Sequence, residues 1–263
     1  RRSLLAVGFA GNVNVLDLER HTQRRLIAIK SPAFGAWGRG GSAVWLAPYG
    51  GGLFEVDAAT GTRSADVIPD TVNKLRADPS ATYLAFATSS KRFGIVDKTG
   101  VRFLDLKIKV EEFELAPDGS WIAVAGKDGL AIIDPAGVER FRAPGPFLPF
   151  SIAVKPGTAG VLVDKRTALE LDLTKAQVAT RKVEIGWDAG KLLFYGGRLF
   201  ANMRSVVDYR AIEEQDLSIR SVAWSRPAWG GYAAVSGDRL RLLRSGRTHE
   251  LRSPIPTGMS LVA

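Results

Sequence analysis

Few side chains in this sequence belong to the types that carry covalent or metal chemistry. There are two histidines, His21 and His249, and no cysteine. Thiol catalysis, disulfides and cysteine metal sites are therefore excluded. Two histidines cannot supply a metal site of three or more within the chain. Neither sits in a pattern that pairs it with an orienting acid and a reacting group, as a general base requires. Each reads as a solvated turn residue or an ordinary hydrogen-bonding group.

Aspartate is the next candidate. It recurs at Asp17, Asp57, Asp97, Asp134, Asp172 and Asp208, at intervals of 36 to 40 residues. Catalytic acids must share one reactive centre, whereas a regular recurrence places its members at equivalent, separated positions. Most of these residues close a short apolar run, as in Val13-Asn14-Val15-Leu16-Asp17 and Phe93-Gly94-Ile95-Val96-Asp97. Turn residues follow, as in Asp57-Ala58-Ala59-Thr60-Gly61. Aspartate hydrogen-bonds its local backbone and glycine takes positive φ, so the set reads as turn chemistry. The glycines of residues 38–41 and 50–52 lack the Lys-Ser/Thr and helix of a phosphate loop. No catalytic, cofactor-binding or metal-ligating residue is assigned, and no cofactor is expected.

What remains is basic and aromatic. The net charge is +9. Arg239, Arg241, Arg244, Arg247 and Arg252 lie close together near one end of the sequence. Arg1, Arg2, Arg24 and Arg25 lie near the other. If the first and last strands share a sheet, the two groups form one basic seam suited to carboxylates or phosphates, which the planar guanidinium binds through paired donors. Trp224 and Trp229, flanking a short loop, and Phe147 and Phe150, in Pro146-Phe147-Leu148-Pro149-Phe150, are candidate apolar contacts. With Arg1, Arg2, Arg24, Arg25, Arg239, Arg241, Arg244 and Arg247 they form the expected partner-binding set.

The elements that must position these residues are strands. Short apolar runs such as Trp121-Ile122-Ala123-Val124-Ala125 precede the Asp-ended runs, and Gly-rich or Pro-containing turns separate them. No sustained 3.6-residue pattern runs between the glycines, although residues 209–217 could form a helical turn or two. Arg244 is the seventh equivalent of the anchors. The final Met259-Ser260-Leu261-Val262 reads as a first strand, and Leu4-Leu5-Ala6-Val7 as a second. The expectation is an all-β, seven-bladed β-propeller, one domain over 1–263, with a terminal blade completed by both chain ends.

This pattern resembles the broad WD40-like and quinoprotein-like propeller superfamily. The likeness covers essentially the whole chain and rests on the Asp anchors with their turns, above all Asp57 to Gly61. It departs from a WD40 repeat in two ways: the one Trp-Asp pair, Trp187-Asp188, is off the recurring anchors, and no Gly-His dipeptide occurs. The resemblance implies a scaffold fold that hosts binding modules and enzymes alike, so it does not choose a function.

The expected function is a non-catalytic protein-interaction scaffold or subunit of a larger assembly, with another protein as partner. The alternative is a small-molecule-binding or hydrolytic propeller enzyme, its site assembled from the ends of several blades. A second alternative, drawn from the charge, is binding of nucleic acid or another polyanion. No apolar run reaches membrane-spanning length. The opening Arg1-Arg2-Ser3, followed by an interrupted apolar run, is a poor signal peptide. Cytoplasm is the preferred compartment, with an extracytoplasmic one left open.

Overall fold

The computed structural model describes residues 3–8, 12–17, 20, 22–29, 31, 33–148, 151–175, 177–195, 197–202, 208–213, 218–220, 227–228, 231–236, 239–244, 247–251 and 259–262. In chain order the strands are β1 (Ser3–Gly8), β2 (Asn12–Asp17), β3 (Thr22–Ala28), β4 (Ala33–Gly38), β5 (Ala43–Pro48), β6 (Leu53–Asp57) and β7 (Arg63–Ile68). Next come β8 (Val72–Ala77), β9 (Leu84–Thr88), β10 (Phe93–Asp97), β11 (Gly100–Leu104), β12 (Glu112–Leu115), β13 (Ile122–Gly126), β14 (Gly129–Ile133) and β15 (Glu139–Pro144). Then follow β16 (Ile152–Lys155), β17 (Thr158–Asp164), β18 (Thr167–Asp172), β19 (Ala179–Glu184), β20 (Leu192–Tyr195), β21 (Arg198–Asn202), β22 (Asp208–Ala211) and β23 (Ser218–Arg220). The last are β24 (Pro227–Ala228), β25 (Gly231–Ser236), β26 (Arg239–Arg244), β27 (Arg247–Leu251) and β28 (Met259–Val262).

Among the described residues these strands form seven four-stranded sheets. Six take consecutive strands, from β4–β7 through β24–β27, and one has the order β28-β1-β2-β3. In that sheet β1 pairs antiparallel with β28, Leu5 opposite Val262, and with β2, Leu5 opposite Val15.

The expected closed seven-bladed propeller is corrected here. Every sheet is an open ribbon with a linear strand order and two edges, and none curls to closure. The chain divides into two compact units: residues 1–90, 96–101 and 222–263, and residues 91–95 and 102–221. A period of 36 to 40 residues reports the size of one four-stranded unit. It carries no information on whether successive units close, because closure depends on packing between sheets rather than on pattern within one.

Exposure differs from strand to strand. In β13 and β14, the second and third strands of their sheet, every residue is buried. Such runs belong to strands covered on both faces. The fourth strands β3, β7, β15 and β19 are largely exposed. In the second unit, Trp121, Ile132, Leu130, Val161 and Leu171 build one core, and Leu162, Val183, Leu192, Phe194 and Ala201 build another. In the first unit, Val44, Leu46, Phe54 and Val56 pack in one cluster, and Leu53, Leu75, Leu84 and Phe86 in a second.

Candidate functional site

The recurring aspartates are bound up in their own turns. Asp57 Oδ1 accepts from the N–H groups of Ala59 (3.0 Å) and Thr60 (2.7 Å) and from the Thr60 hydroxyl (2.9 Å). Asp97 accepts from the Thr99 N–H (2.7 Å) and hydroxyl (2.5 Å), Asp134 from the Val138 N–H (2.9 Å), and Asp172 from the Thr174 N–H (3.0 Å) and hydroxyl (2.5 Å). The Thr60 donors hold the Asp57 carboxyl below its ordinary value, and the Thr174 hydroxyl does the same for Asp172. These acids terminate third strands. Asp208 departs from the set: it opens β22, opposite Arg220, instead of closing it.

The opposite end of the sheets is basic. In the second unit β12, β16 and β20 lead successive sheets and lie next to one another. The turn between second and third strands therefore falls at the end where each linker enters the following sheet. Linkers and turns are hydrogen-bonded: Val110 N–H donates to the Lys91 carbonyl (3.1 Å), Gly145 to Asp128 (3.2 Å), Ile185 to Arg166 (2.7 Å) and Ala189 to Lys165 (2.7 Å). The turns carry Lys91-Arg92, Lys127-Asp128 and Lys165-Arg166.

A cleft of about 550 Å³ opens at this end, between the turn at Lys91 and Arg92, residues 103–109, and Asp128. Its floor is apolar. Phe93 is buried with its ring edge-on to Phe113, centroids 5.1 Å apart, and Leu106 and Ile108 are buried beside it. Its rim holds Lys91, Arg92, Lys107 and Lys109 against Asp105 and Asp128. The Arg92 guanidinium lies 3.6 Å above the centre of the Phe103 ring, which is 38% exposed. Lys91 is ion-paired with Glu111 and Lys107 with Asp105. The Lys107 ammonium holds the Asp105 carboxyl below its ordinary value.

Backbone contacts fix the rim. The Lys109 N–H donates to both Asp128 oxygens at 3.2 Å, and Arg142 Nη2 donates to the Leu106 carbonyl at 2.6 Å. Gly126 is required where it stands: a Cβ there would lie 2.2 Å from the Lys109 carbonyl oxygen. Lys91 (φ 61°) and Lys107 (φ 54°) both hold left-handed backbone, a conformation that costs a side-chain-bearing residue on the order of 1–2 kcal/mol. Strain of this kind concentrates at sites under constraint.

The structure distributes the sequence candidates differently. Arg24 and Arg25 are exposed on β3, and Arg24 donates to the carbonyls of Ala58 and Ala59, clamping the turn after Asp57. Phe147 is buried in the core with Trp121 and Ile132, so its ring packs and is not presented to a partner. Arg239, Arg241 and Arg244 lie on β26 and Arg247 on β27, with Arg241 opposite Glu250 and Arg244 opposite Arg247. Arg1, Arg2, Phe150, Trp224 and Trp229 lie outside the described residues. The cleft residues were missed by motif reading. Their signal was present: in Phe103-Leu104-Asp105-Leu106-Lys107-Ile108-Lys109-Val110, charge and apolar side chains alternate.

Among the described residues no group of three or more His, Asp or Glu comes together as a metal site, and no helix is long and apolar enough to cross a membrane. No protein-family description matches the chain, and no curated protein does. Solved structures do match. The chain is similar to the Myceliophteria thermophila Cps50 (Swd1) β-propeller domain, with a TM-score of 0.62 and 16% identity, covering 95% of this chain and 93% of that one. It is similar to the dihydro-heme d1 dehydrogenase NirN, with a TM-score of 0.66 and 13% identity, over 98% of this chain and 65% of that one. A chain of the Mitotic Checkpoint Complex matches with a TM-score of 0.60 and 14% identity, over 94% and 83%. At these identities the likeness shows a propeller-like fold and nothing finer.

Proposed function

We propose that this chain is a non-catalytic protein-interaction subunit, and that it engages its partner through the basic cleft of the second unit. The observation that carries the reading is the cleft itself: exposed lysines and Phe103 around an apolar floor, on linkers and turns pinned by backbone hydrogen bonds. A rigid frame under an exposed aromatic and flexible cations is how protein-binding surfaces gain both anchoring and steering. The described acids at the cleft are engaged: Asp105 and Glu111 pair with lysines, and Asp128 accepts from the Lys109 N–H. One of the similar structures is a chain of an assembly, the Mitotic Checkpoint Complex, and this supports a subunit role. NirN, a dihydro-heme d1 dehydrogenase, shares the propeller-like fold, so the weight rests on the cleft.

Native purification tests the reading. The wild-type chain is expected to co-elute with one protein in fixed stoichiometry. A chain carrying Lys107→Glu and Lys109→Glu is expected to lose it while melting at the same temperature. Co-elution unchanged by the double reversal, or no associated protein at all, overturns the proposal.

A further inference from the structure

We infer that the cleft takes an acidic segment of the partner, with carboxylates against Lys107 and Lys109 and one apolar side chain laid against Phe103; this rests on the protein-binding reading of the same cleft. From Asp105 to Val110 exposure alternates strictly. Asp105, Lys107 and Lys109 are exposed, and Leu106, Ile108 and Val110 are buried. Lys107 holds left-handed backbone at φ 54°, in a bend over residues 107–108, so the segment turns both lysines to solvent without being a strand. Carboxylates of a peptide laid across the bend meet the two ammonium groups.

The local pairings permit that exchange. The Lys107–Asp105 pair is exposed on both sides, 77% and 74%, and such pairs are weak and readily replaced. The Lys109 N–H is fixed by Asp128, which holds the segment in place while its ammonium is exposed. Phe103 supplies the apolar contact, with Arg92 stacked on one face of its ring. The cleft volume, about 550 Å³, lies within the roughly 300–1,000 Å³ typical of binding clefts.

The same features argue against nucleic acid as the occupant. Four lining cations stand against two lining carboxylates. A phosphate backbone carries charge at every residue and sets some of it beside Asp105 and Asp128. A peptide can place neutral residues there and acids only where the lysines are.

A displayed library of random eight-residue peptides, selected on the wild-type chain and counter-selected on the Lys107→Glu/Lys109→Glu chain, is the test. Enriched peptides are expected to carry two or more Asp or Glu together with an apolar residue. A fluorescein-labelled selected peptide should bind the double variant at least tenfold more weakly and Phe103→Ala several-fold more weakly. Its glutamine counterpart should not bind. The neutral pair Lys107→Gln/Lys109→Gln replaces the reversal if the latter melts early. Failure to enrich, enrichment without acids, or binding indifferent to the lysines overturns the inference. So does a labelled single-stranded oligonucleotide that binds more tightly than the peptides through the same lysines. If peptides fail while co-elution of the native partner still depends on Lys107 and Lys109, the acidic-segment inference falls and the protein-binding reading stands. If co-elution is also indifferent to them, both fall.

Discussion

The two ends of the sheets in the second unit use charge in opposite ways. At one end Asp118, Asp134 and Asp172 turn their carboxylates inward on their own loops, accepting from Ser120, Val138 and Thr174. At the other end Lys107, Lys109, Lys127, Lys165 and Arg166 are exposed on turns and linkers whose backbones are already hydrogen-bonded. The first end uses side chains to make the backbone turn. The second holds its turns by backbone contacts together with the Asp128 and Asp164 carboxylates, so that basic side chains project. Structural necessity thus accounts for the acids, whereas Lys107 and Arg166 are engaged in ion pairs with Asp105 and Asp188.

The largest effect should come from breaking the backbone frame beneath the cations. Gly126→Val places a branched side chain where even a Cβ would lie 2.2 Å from the Lys109 carbonyl oxygen. Overpacking of this kind costs about 3 kcal/mol, and here it also displaces the segment that carries Lys107 and Lys109. Urea denaturation should show the loss, and partner binding should fall with it. A Gly126→Val chain of unchanged stability means that the linker yields freely and that the frame is softer than argued.

The next effect separates the two ends. Lys107→Glu with Lys109→Glu should reduce partner affinity at least tenfold and leave the melting temperature within error, because exposed substitutions away from caps and cores usually move stability by less than about 0.5 kcal/mol. Asp134→Ala should do the reverse. It removes the acceptor for the Val138 N–H, at a cost of about 1 kcal/mol in denaturation, and should leave partner affinity unchanged. If Asp134→Ala weakens binding as much as the lysine reversal does, the division between a structural end and a binding end is wrong.

How much of this was legible in the sequence follows from how local each feature is. Asp57, Asp97, Asp134 and Asp172 were readable because an aspartate-capped turn is completed within four residues. Asp208 misled for the same reason: aspartate suits either end of a strand, and spacing alone assigned it to the wrong one. Phe147, between two prolines, looked exposed. Gly145 packs against the Lys127 carbonyl, where a Cβ would sit 2.2 Å away, and the chain then delivers Phe147 into the core beside Trp121. The cleft draws on three segments separated in sequence, so no linear motif contains it, although the alternation through residues 103–110 marked one wall. Closure of the sheets was beyond the pattern altogether, since a repeat describes its unit and not how the units end.

The smallest effect tests the comparison at the level of single carboxylates. Asp172 is held below its ordinary value by the Thr174 hydroxyl and N–H. For Asp118, burial pushes upward, but the Ser120 hydroxyl and N–H outweigh it. Asp105 and Asp188, at the basic end, are held low by Lys107 and Arg166. All four carboxylates favour the charged form in the folded state. Each therefore contributes stability above the ordinary aspartate range, near pH 4, and loses it as pH falls through the depressed folded value. The causes differ in their response to salt. Ion pairs between exposed groups are screened, with a Debye length of about 3 Å at 1 M, whereas short hydrogen bonds from hydroxyl and amide donors persist. Carboxyl carbon NMR titrations at low and at 1 M salt should move Asp105 and Asp188 upward toward ordinary behaviour and leave Asp118 and Asp172 nearly in place. Equal movement of all four would mean that long-range positive charge, rather than turn geometry, governs the acids at both ends.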